Sequence, residues 1–347
     1  MDIMHTDLVL EGGGVKGIGL VGAVAGLHEG GYRFDGPARI AGTSAGAIAG
    51  ALVAAGTPVA ELEQVMRDLD YRRFRDAGRL GRLKTAKAVA LLTTLGLYRG
   101  DYLHRWITDQ LAKRGVRTFA DLRISDDPDS ALPPERSYKL VVIVSDVSCG
   151  RMLRLPWDYH HYGLDPDAQL VADAVRASAS IPFFFRPAKL GKPGSKDVSY
   201  CTDGGMLSNF PVDLFDRRDG SRPRWPTFGV KLSGRPVPDA ERSRNAKPIR
   251  GLLDLSIALV ETMASAHDRL HLDDQAVIDR TVFVDTFGVK ATEFGLSEET
   301  QQRLYDSGRK AAKEFLESWT FDGYLAKHHP AAQRLAAPRA AGEAAGA

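Results

Sequence analysis

The chain has 347 residues, of which 44% are hydrophobic, and this is enough to build a large core in one extended α/β domain. Its 46 basic and 44 acidic residues leave a formal charge of +2, which argues against nucleic acid as a partner. Cys149 and Cys201 are too few for a disulfide framework and favour a reducing compartment. Because a strand-like run starts at Asp7, where a signal core would lie, we expect a cytoplasmic protein, peripheral at the membrane.

In chain order, the sequence predicts strands and helices that alternate. The strands are expected at residues 8–10, 38–42, 138–147, 227–232 and 281–285. The helices are expected at residues 16–29, 45–55, 101–113, 170–177, 252–270 and 298–319. Such alternation is typical of a parallel sheet with helices on both faces. We therefore predict a three-layer α/β/α fold with a mainly parallel central sheet.

Residues 1–329 are predicted to form a single domain, whose motif-bearing part covers about residues 7–232. The three motifs described below span the first two thirds of the chain, which favours one domain over two. The tail at 330–347 is low in complexity and is predicted to be disordered.

Residues 42–46 read Gly-Thr-Ser-Ala-Gly and lie between a predicted strand and a predicted helix. Gly42 and Gly46 allow the chain to turn sharply around Ser44, which is the pattern of a nucleophile elbow. A helix that begins directly after Ser44 directs backbone N–H groups and the positive end of its dipole at the hydroxyl. Small residues also crowd many tight turns, so this motif alone is a weak indication of catalysis.

Residues 12–17 read Gly-Gly-Gly-Val-Lys-Gly and connect the first strand to the first helix. Unhindered backbone amides in such a loop can converge on an anion, as an oxyanion hole requires. A tight turn without a ligand fits the same sequence. A dinucleotide site is a further alternative, because Gly12, Gly14 and Gly17 match Gly-x-Gly-x-x-Gly and Asp35 falls near the spacing of a ribose-binding acid. That alternative gives no role to the other two motifs.

Asp203 precedes two glycines and follows a short apolar run, so we expect it at a strand end in a tight turn. A carboxylate in this position can act as a base. Asp-Gly is also among the commonest turn dipeptides, and the motif alone does not indicate catalysis.

The ordered set Gly-Gly-Gly-x-Lys-Gly, Gly-x-Ser-x-Gly and Asp-Gly-Gly resembles the patatin-like phospholipases. Two further strings are similar to that family: Ala-Ser-Ala-Ser-Ile-Pro-Phe-Phe-Phe at 177–185 and Asp-Gly-Gly-Met-Leu-Ser-Asn-Phe-Pro at 203–211. The resemblance covers about residues 7–211, with weaker agreement through the strand near Thr227. It implies a patatin-like fold and hydrolysis of lipid acyl esters, of the phospholipase or lysophospholipase A type.

The resemblance also implies a Ser-Asp dyad, in which Ser44 is the nucleophile and Asp203 the base that accepts its proton, without a histidine. It implies an oxyanion hole built from the backbone amides of Gly12, Gly13, Gly14 and Ala45. The other motif positions are expected to support the loop, the elbow and the turn: Lys16, Gly17, Gly42, Gly46, Gly204 and Gly205. Lys16 either orders the loop, contacts lipid phosphate or is a solvated lysine at a helix end. With a reference aspartate pKa of about 3.9, Asp203 would be a weak base, so proton transfer should accompany attack on the carbonyl.

Several alternatives stay open. An acyl-serine intermediate can pass its acyl group to another alcohol or thiol, and the motifs can also survive in a lipid-binding module that has no turnover. His160 and His161 could complete a triad, whereas His267 and His271 have the spacing of some zinc sites but lack the accompanying glutamate. We expect no cofactor and no metal, with lipid at a membrane surface as the partner. The sequence does not predict the oligomeric state.

Residues 67–87 contain eight basic and three acidic residues and are followed by an apolar run at 88–97. This pattern is typical of a mobile lid or a membrane-docking face, in which leucine side chains enter the lipid: Leu91, Leu92, Leu95 and Leu97. A solvated basic helix that leads into a core helix would have the same pattern.

Overall fold

The computed structural model describes residues 4–76, 91, 93–125, 133–192, 194–217, 219, 221–233, 249, 251, 255, 258–259, 262–263 and 274–329. Four features of the sequence lie wholly or mostly outside the described residues: the tail at 330–347, residues 77–90 of the basic and apolar segment, the helix predicted at 252–270, and the pair His267 and His271.

The strands of the described residues are β1 (Met4–His5), β2 (Asp7–Leu10), β3 (Tyr32–Arg33), β4 (Ile40–Thr43), β5 (Gly96–Tyr98), β6 (Leu140–Asp146), β7 (Arg151–Leu155), β8 (Phe183–Phe185), β9 (Ala188–Leu190), β10 (Ser199–Asp203), β11 (Thr227–Lys231) and β12 (Thr281–Phe283). The helices are α1 (Gly17–Glu29), α2 (Ala45–Ala54), α3 (Val59–Arg67), α4 (Asp101–Ala112), α5 (Val171–Ser178), α6 (Gln275–Ile278), α7 (Glu298–Ser318) and α8 (Phe321–His328). All five predicted strands are therefore confirmed as β2, β4, β6, β11 and β12, with ends that differ by at most two residues.

An eight-stranded sheet occupies the centre of the described structure, in the order β12-β11-β2-β4-β6-β10-β9, with β7 paired to β6 as well. The neighbouring strands from β12 through β6 run parallel to one another. Strands β7 and β10 pair antiparallel with β6, and β9 pairs antiparallel with β10. The predicted mainly parallel sheet is thus confirmed, and its antiparallel part was not foreseen.

Both faces of this sheet are covered. Every residue of β2, β4, β6 and β11 is buried, although the side chains of a strand alternate between the two faces. Continuous burial of this kind is typical of parallel strands with helices on both sides. The central strands therefore fit the predicted α/β/α architecture, and they form a rigid support for the loops at their carboxyl ends.

Helices α1 and α7 pack so closely that their backbones are in contact. A Cβ atom added at Gly22 in α1 would lie 2.0 Å from the carbonyl oxygen of Tyr305 in α7. A Cβ atom added at Gly308 in α7 would lie 2.0 Å from the carbonyl oxygen of Gly19. Because only hydrogen fits at these positions, the glycines of α1 fix how closely the long helix α7 approaches the sheet.

Within the described ranges, each helix is either too short or too polar to cross a membrane.

Candidate active site

The ends of two strands meet on one edge of β6. Thr43, the last residue of β4, pairs with Ile143, and Asp203, the last residue of β10, pairs with Val144. Strand β7 occupies the opposite edge along this part of β6, so β4 and β10 share the remaining edge. The two strands run in opposite directions and end at adjacent residues of β6. This register brings Asp203 next to Ser44, which directly follows Thr43.

Ser44 has a strained backbone at the turn between β4 and α2. Its φ of 51° and ψ of −113° lie in a region that non-glycine residues rarely occupy. Such a conformation costs about 1–3 kcal/mol and persists only where its surroundings impose it. A Cβ atom added at Gly42 would lie 2.2 Å from the carbonyl oxygen of Gly46, and one added at Gly46 would lie 2.1 Å from that of Leu10. The two glycines therefore let the strand, the turn and the helix pack closely enough to impose the bend.

A buried serine stabilises this turn from the other side. The Ser44 N–H donates to Oγ of Ser178 at 2.8 Å, and the Ser178 hydroxyl donates to the carbonyl oxygen of Ile143 at 2.6 Å. Ser178 is the last residue of α5 and is completely buried. Because the Ser44 N–H already has an acceptor, it is not free to contact a ligand. Ser178 was not predicted as a site residue, although it lies within the family-like string at 177–185.

Asp203 is buried beside the Ser44 hydroxyl. The Ser44 side chain interacts with the Asp203 carboxylate and lowers its pKa, and the Gly205 N–H donates to Oδ1 of Asp203 at 2.9 Å. The Asp203 N–H donates to the carbonyl oxygen of Ser180 at 2.9 Å. The stretch that ends α5 therefore contacts both members of the pair, Ser44 through Ser178 and Asp203 through Ser180.

The environment of Asp203 changes its basicity. Burial raises the pKa of this carboxyl from 3.8 to about 6, and the hydrogen bonds from Gly205 and Ser44 oppose the increase only in part. The reference pKa of an exposed aspartate therefore underestimates the basicity of Asp203 in the folded protein, because desolvation disfavours its charged form.

The glycine loop passes directly beside the serine. A Cβ atom added at Gly12 would lie 3.3 Å from Cβ of Ser44. The Gly12 N–H donates to the carbonyl oxygen of Asn209 at 3.4 Å, and the Val15 N–H donates to that of Ala291 at 3.0 Å. Between them, the N–H groups of Gly13 and Gly14 have no hydrogen-bond acceptor among the described residues. These two amides are thus available to bind an anion near Ser44.

Asn209 joins the glycine loop to the turn that carries the aspartate. Its side-chain amide donates to the carbonyl oxygen of Gly12 at 3.2 Å, while its own carbonyl oxygen accepts from the Gly12 N–H. Its Oδ1 would lie 3.0 Å from a Cβ atom added at Gly205. Asn209 was part of the second family-like string but had no assigned role. We infer from these contacts that it positions the loop.

A buried ion pair stabilises the start of the glycine loop. The ammonium group of Lys231 contacts the carboxylate of Glu11, and the side chains of both residues are less than a tenth exposed. The second carboxylate oxygen of Glu11 accepts from the Leu232 N–H at 2.5 Å. Glu11 directly precedes Gly12, so this pair joins β2 to β11 at the base of the loop. No sequence pattern indicated the pair, because the two residues are 220 positions apart.

The other predicted positions lie close by. A Cβ atom added at Gly17 would lie 3.3 Å from Cβ of Ala45, and one added at Gly204 would lie 3.0 Å from Cγ2 of Thr43. Lys16 ends the short 3-10 helix Gly14–Lys16 that leads into α1. The three motifs, far apart in sequence, therefore lie in one region at the carboxyl ends of β2, β4 and β10.

The two adjacent histidines considered for a triad lie elsewhere. His160 and His161 belong to the 3-10 helix Trp157–Tyr162, where Nδ1 of His160 is 2.6 Å from the carbonyl oxygen of Trp157. Among the described residues, no histidine forms a hydrogen bond to Ser44 or Asp203.

Comparison with known proteins identifies the family. Residues 8–216 match the family model described as patatin-like phospholipase. The chain belongs to the patatin-like phospholipase family. An uncharacterized protein of Bacillus subtilis (strain 168), YqhO, is 39% identical to it over 321 residues, which cover 92% of this chain and 100% of that protein. Family membership supports lipid acyl-ester hydrolysis as the class of chemistry.

More distant matches include one protein sequence and one solved structure. Uncharacterized protein R571 of Acanthamoeba polyphaga mimivirus is 21% identical over 311 residues, which cover 89% of this chain and 92% of that protein. The crystal structure of VipD from Legionella pneumophila matches 91% of this chain and 67% of its own, with a TM-score of 0.52 and 18% identity. At this identity the likeness shows a common fold and carries no information on substrate.

Proposed function

We propose that this patatin-like protein hydrolyses acyl esters of glycerophospholipids or lysophospholipids, with Ser44 as the nucleophile and Asp203 as the base. One observation carries the proposal: the Ser44 side chain interacts with a buried carboxylate, beside two backbone amides that lack an acceptor among the described residues. A nucleophile, a base and an anion site are the groups that acyl transfer through an acyl-enzyme requires.

In the first half-reaction, Oγ of Ser44 bonds to the acyl carbonyl carbon while its proton moves to the Asp203 carboxylate. The carbonyl π electrons move to oxygen, and the N–H groups of Gly13 and Gly14 stabilise the resulting oxyanion. Ala45 starts α2, where the first N–H groups have no intrahelical acceptor, so its amide and the helix dipole add to this stabilisation. When the oxyanion collapses, the ester C–O bond breaks and the leaving alcohol takes the proton from Asp203.

In the second half-reaction, water attacks the acyl-Ser44 ester and Asp203 accepts a proton from that water. The same amides stabilise the second oxyanion. Collapse then breaks the bond to Oγ of Ser44, Asp203 returns the proton to Oγ, and the fatty acid leaves. One carboxylate can serve both steps because its pKa of about 6 lies close to neutrality, where it accepts and returns a proton with little loss of driving force.

The substrates in this proposal are membrane lipids, so the reaction takes place with the protein at a membrane surface. Headgroup and chain length depend on the shape of the binding surface rather than on the dyad.

The test combines active-site labelling with lipid hydrolysis. Wild type, Ser44→Ala, Asp203→Asn and the control Ser199→Ala are treated with a fluorophosphonate and, separately, with mixed phospholipid vesicles. Ser199 is a buried serine in β10 and provides a matched control. We expect labelling at Ser44 in wild type and in Ser199→Ala, and loss of fatty-acid release in both dyad variants. A folded wild-type protein that is neither labelled nor active would favour the lipid-binding module instead.

Acyl transfer is the second outcome that the same assay can resolve. With glycerol present as a competing acceptor, a transferase would form new acyl glycerol in proportion to the acceptor. Release of free fatty acid at an unchanged rate supports hydrolysis.

A further inference from the structure

Backbone strain and exposed apolar side chains coincide at three positions. Among the described residues, the non-glycine residues with positive φ are Ser44, Leu95 (58°), Phe183 (62°) and Phe287 (51°). The last three are large apolar side chains that are 47%, 39% and 47% exposed, respectively. Positive φ is unfavourable for bulky residues, and strain of this kind is concentrated at functional sites. Here it holds apolar side chains in water, where they contribute nothing to the core.

Leu95 and Phe183 are neighbours near the dyad. Strands β5 and β8 pair in parallel, with Gly96 opposite Phe183, so Leu95 directly precedes the paired residue. Phe183 follows Ser180, whose carbonyl oxygen accepts from the Asp203 N–H. Three residues of chain span at most about 11 Å, so Phe183 lies within that reach of the segment that contacts the base.

Phe287 belongs to the segment that contacts the glycine loop. Ala291, four residues further on, accepts the Val15 N–H at 3.0 Å through its carbonyl oxygen. The chain between them reaches at most about 14 Å. The guanidinium of Arg303 lies 4.6 Å from the centroid of the Phe287 ring. The three strained residues therefore belong to segments that contact the Asp203 turn and the glycine loop.

Aromatic packing connects the two sides and carries exposed cations. The ring of Phe74 lies 5.9 Å from that of Phe185 in β8 and 6.1 Å from that of Phe294, which follows Phe287 in the same loop. Arg73 and Arg75 flank Phe74 and are exposed. Arg75 lies 5.7 Å from the Phe294 ring centroid. Positive charge thus lies at the surface of the aromatic cluster that packs against β8 and against the loop of Phe287.

Asp70 and Asp76, the two acidic residues of residues 70–76, accept hydrogen bonds from backbone N–H groups. Oδ1 of Asp70 accepts from the Arg72 N–H at 3.1 Å. Oδ1 of Asp76 accepts from the N–H groups of Arg99 and Gly100 at 2.8 and 3.1 Å. Apolar side chains beside arginines are the combination that binds the interface of an anionic bilayer, in which chains are apolar and headgroups carry phosphate.

We propose that Leu95, Phe183 and Phe287 form an apolar rim that inserts into a lipid surface around the entrance to the dyad, while Arg73 and Arg75 contact lipid phosphates. This inference rests on the proposed function, because a lipid must leave its bilayer to reach the buried Ser44. A rim embedded in the bilayer gives the acyl chain an apolar path into the site. The lipid also buries the side chains that the strained backbone exposes.

Vesicle binding by a protein that cannot hydrolyse the lipid tests the rim. The background is Ser44→Ala, and the probe is co-sedimentation with vesicles of equimolar phosphatidylcholine and phosphatidylglycerol. We expect each change of a rim residue to Ser to weaken binding roughly fivefold and the triple change to weaken it on the order of 100-fold, because about half of each side chain is available for burial. Added salt should weaken binding further, since it screens the arginines.

Met4 provides a matched control. It is 36% exposed in β1. It lies close to the amino end of β2, whereas the proposed dyad lies at the carboxyl ends of the strands. Met4→Ser should leave vesicle affinity unchanged. Equal affinity of the triple variant and its parent would overturn the rim, as would an equal loss in Met4→Ser.

Phe183→Trp provides a test that does not depend on the folding of the triple variant. Tryptophan favours the membrane interface, so this variant should bind at least as tightly as its parent, and weaker binding would overturn the rim. Hydrolysis of a short-chain soluble ester by wild type, compared with Ser44→Ala, tests the dyad separately. Failure of the rim and failure of the proposed function are therefore distinguishable.

Discussion

Removal of the Asp203 charge should inactivate the protein and make it more stable. Asp203→Asn keeps the shape of the side chain but removes the base, so acyl-ester hydrolysis should be lost. It also removes a carboxylate whose pKa is raised to about 6 because the folded protein buries it. The folded state therefore binds a proton at this group more tightly than the unfolded chain does.

The magnitude follows from linkage. A pKa raised from 3.8 to about 6 corresponds to about 3 kcal/mol of unfolding free energy. In wild type this stability is present below about pH 4 and is lost as pH rises to about 6, because the buried carboxyl must then ionise. Asparagine does not ionise. The variant should thus exceed wild type by up to about 3 kcal/mol at about pH 8 and by little at about pH 4, less whatever the Ser44 and Gly205 hydrogen bonds lose.

Urea unfolding of wild type and Asp203→Asn across this pH range measures the difference. Asp279→Asn is a control of opposite sign, because contacts with Lys327, Gln275 and His328 lower the pKa of Asp279 to about 2. That carboxylate stabilises the fold above about pH 4, and its contribution disappears as pH falls towards 2. Its removal should therefore destabilise the protein near neutrality.

Two results would refute the reasoning about Asp203. One is a variant that is less stable than wild type at about pH 8, and the other is a difference that does not change with pH. In wild type, kcat/KM should fall on acidification with an apparent pKa near 6, since only ionised Asp203 accepts the Ser44 proton. A profile that stays flat down to about pH 4 would show that another group is the base.

Other predictions concern the groups that hold the site and the fold. Ser178→Ala leaves the Ser44 N–H without its acceptor and should lower kcat by roughly 10- to 100-fold with little change in KM, measured on a soluble ester. Gly22→Val should destabilise the protein by about 3 kcal/mol or more in urea unfolding, because the α1–α7 contact must open, and normal stability would contradict that packing. Lys231→Met should cost about 3–5 kcal/mol by leaving the Glu11 carboxylate buried and unpaired, whereas adding Glu11→Gln should recover most of the loss.

The sequence was sufficient where local pattern decides structure. The strand predicted at 138–147 is found at Leu140–Asp146, and the helix predicted at 298–319 is found at Glu298–Ser318. An apolar run rich in β-branched residues predicts a buried strand, and a long amphipathic repeat predicts a helix. Both patterns consist of residues that are close together in the sequence. The three motifs likewise marked the residues that the fold brings together. Each motif could be found in the sequence because a glycine-rich turn at a strand end is a local feature.

The sequence did not predict features that depend on contacts between residues far apart in the chain. Strand β7, with Arg151 and Arg154 among its five residues, lacks the continuous apolar pattern of a central strand and was not predicted. The antiparallel entry of β10 depends on pairing between Asp203 and Val144, which no local pattern records. The raised pKa of Asp203 depends in turn on that burial. The reference pKa of an aspartate therefore underestimated the basicity of Asp203.

The packing explains how an unfavourable site can persist. Ser44 is strained and Asp203 is a desolvated carboxylate, so each would relax if the chain around it could move. Asp203 pairs with Val144 of β6, a strand buried along its whole length, and Ser44 directly follows Thr43, which pairs with Ile143 of the same strand. Both residues are also bound to the end of α5, Ser44 through Ser178 and Asp203 through Ser180. A shift of α5 would move both contacts together and change the distance between Ser44 and Asp203. The string at 177–185 therefore sets the geometry of the proposed dyad without contributing one of its reacting atoms, which explains why it accompanies the three motifs in this chain.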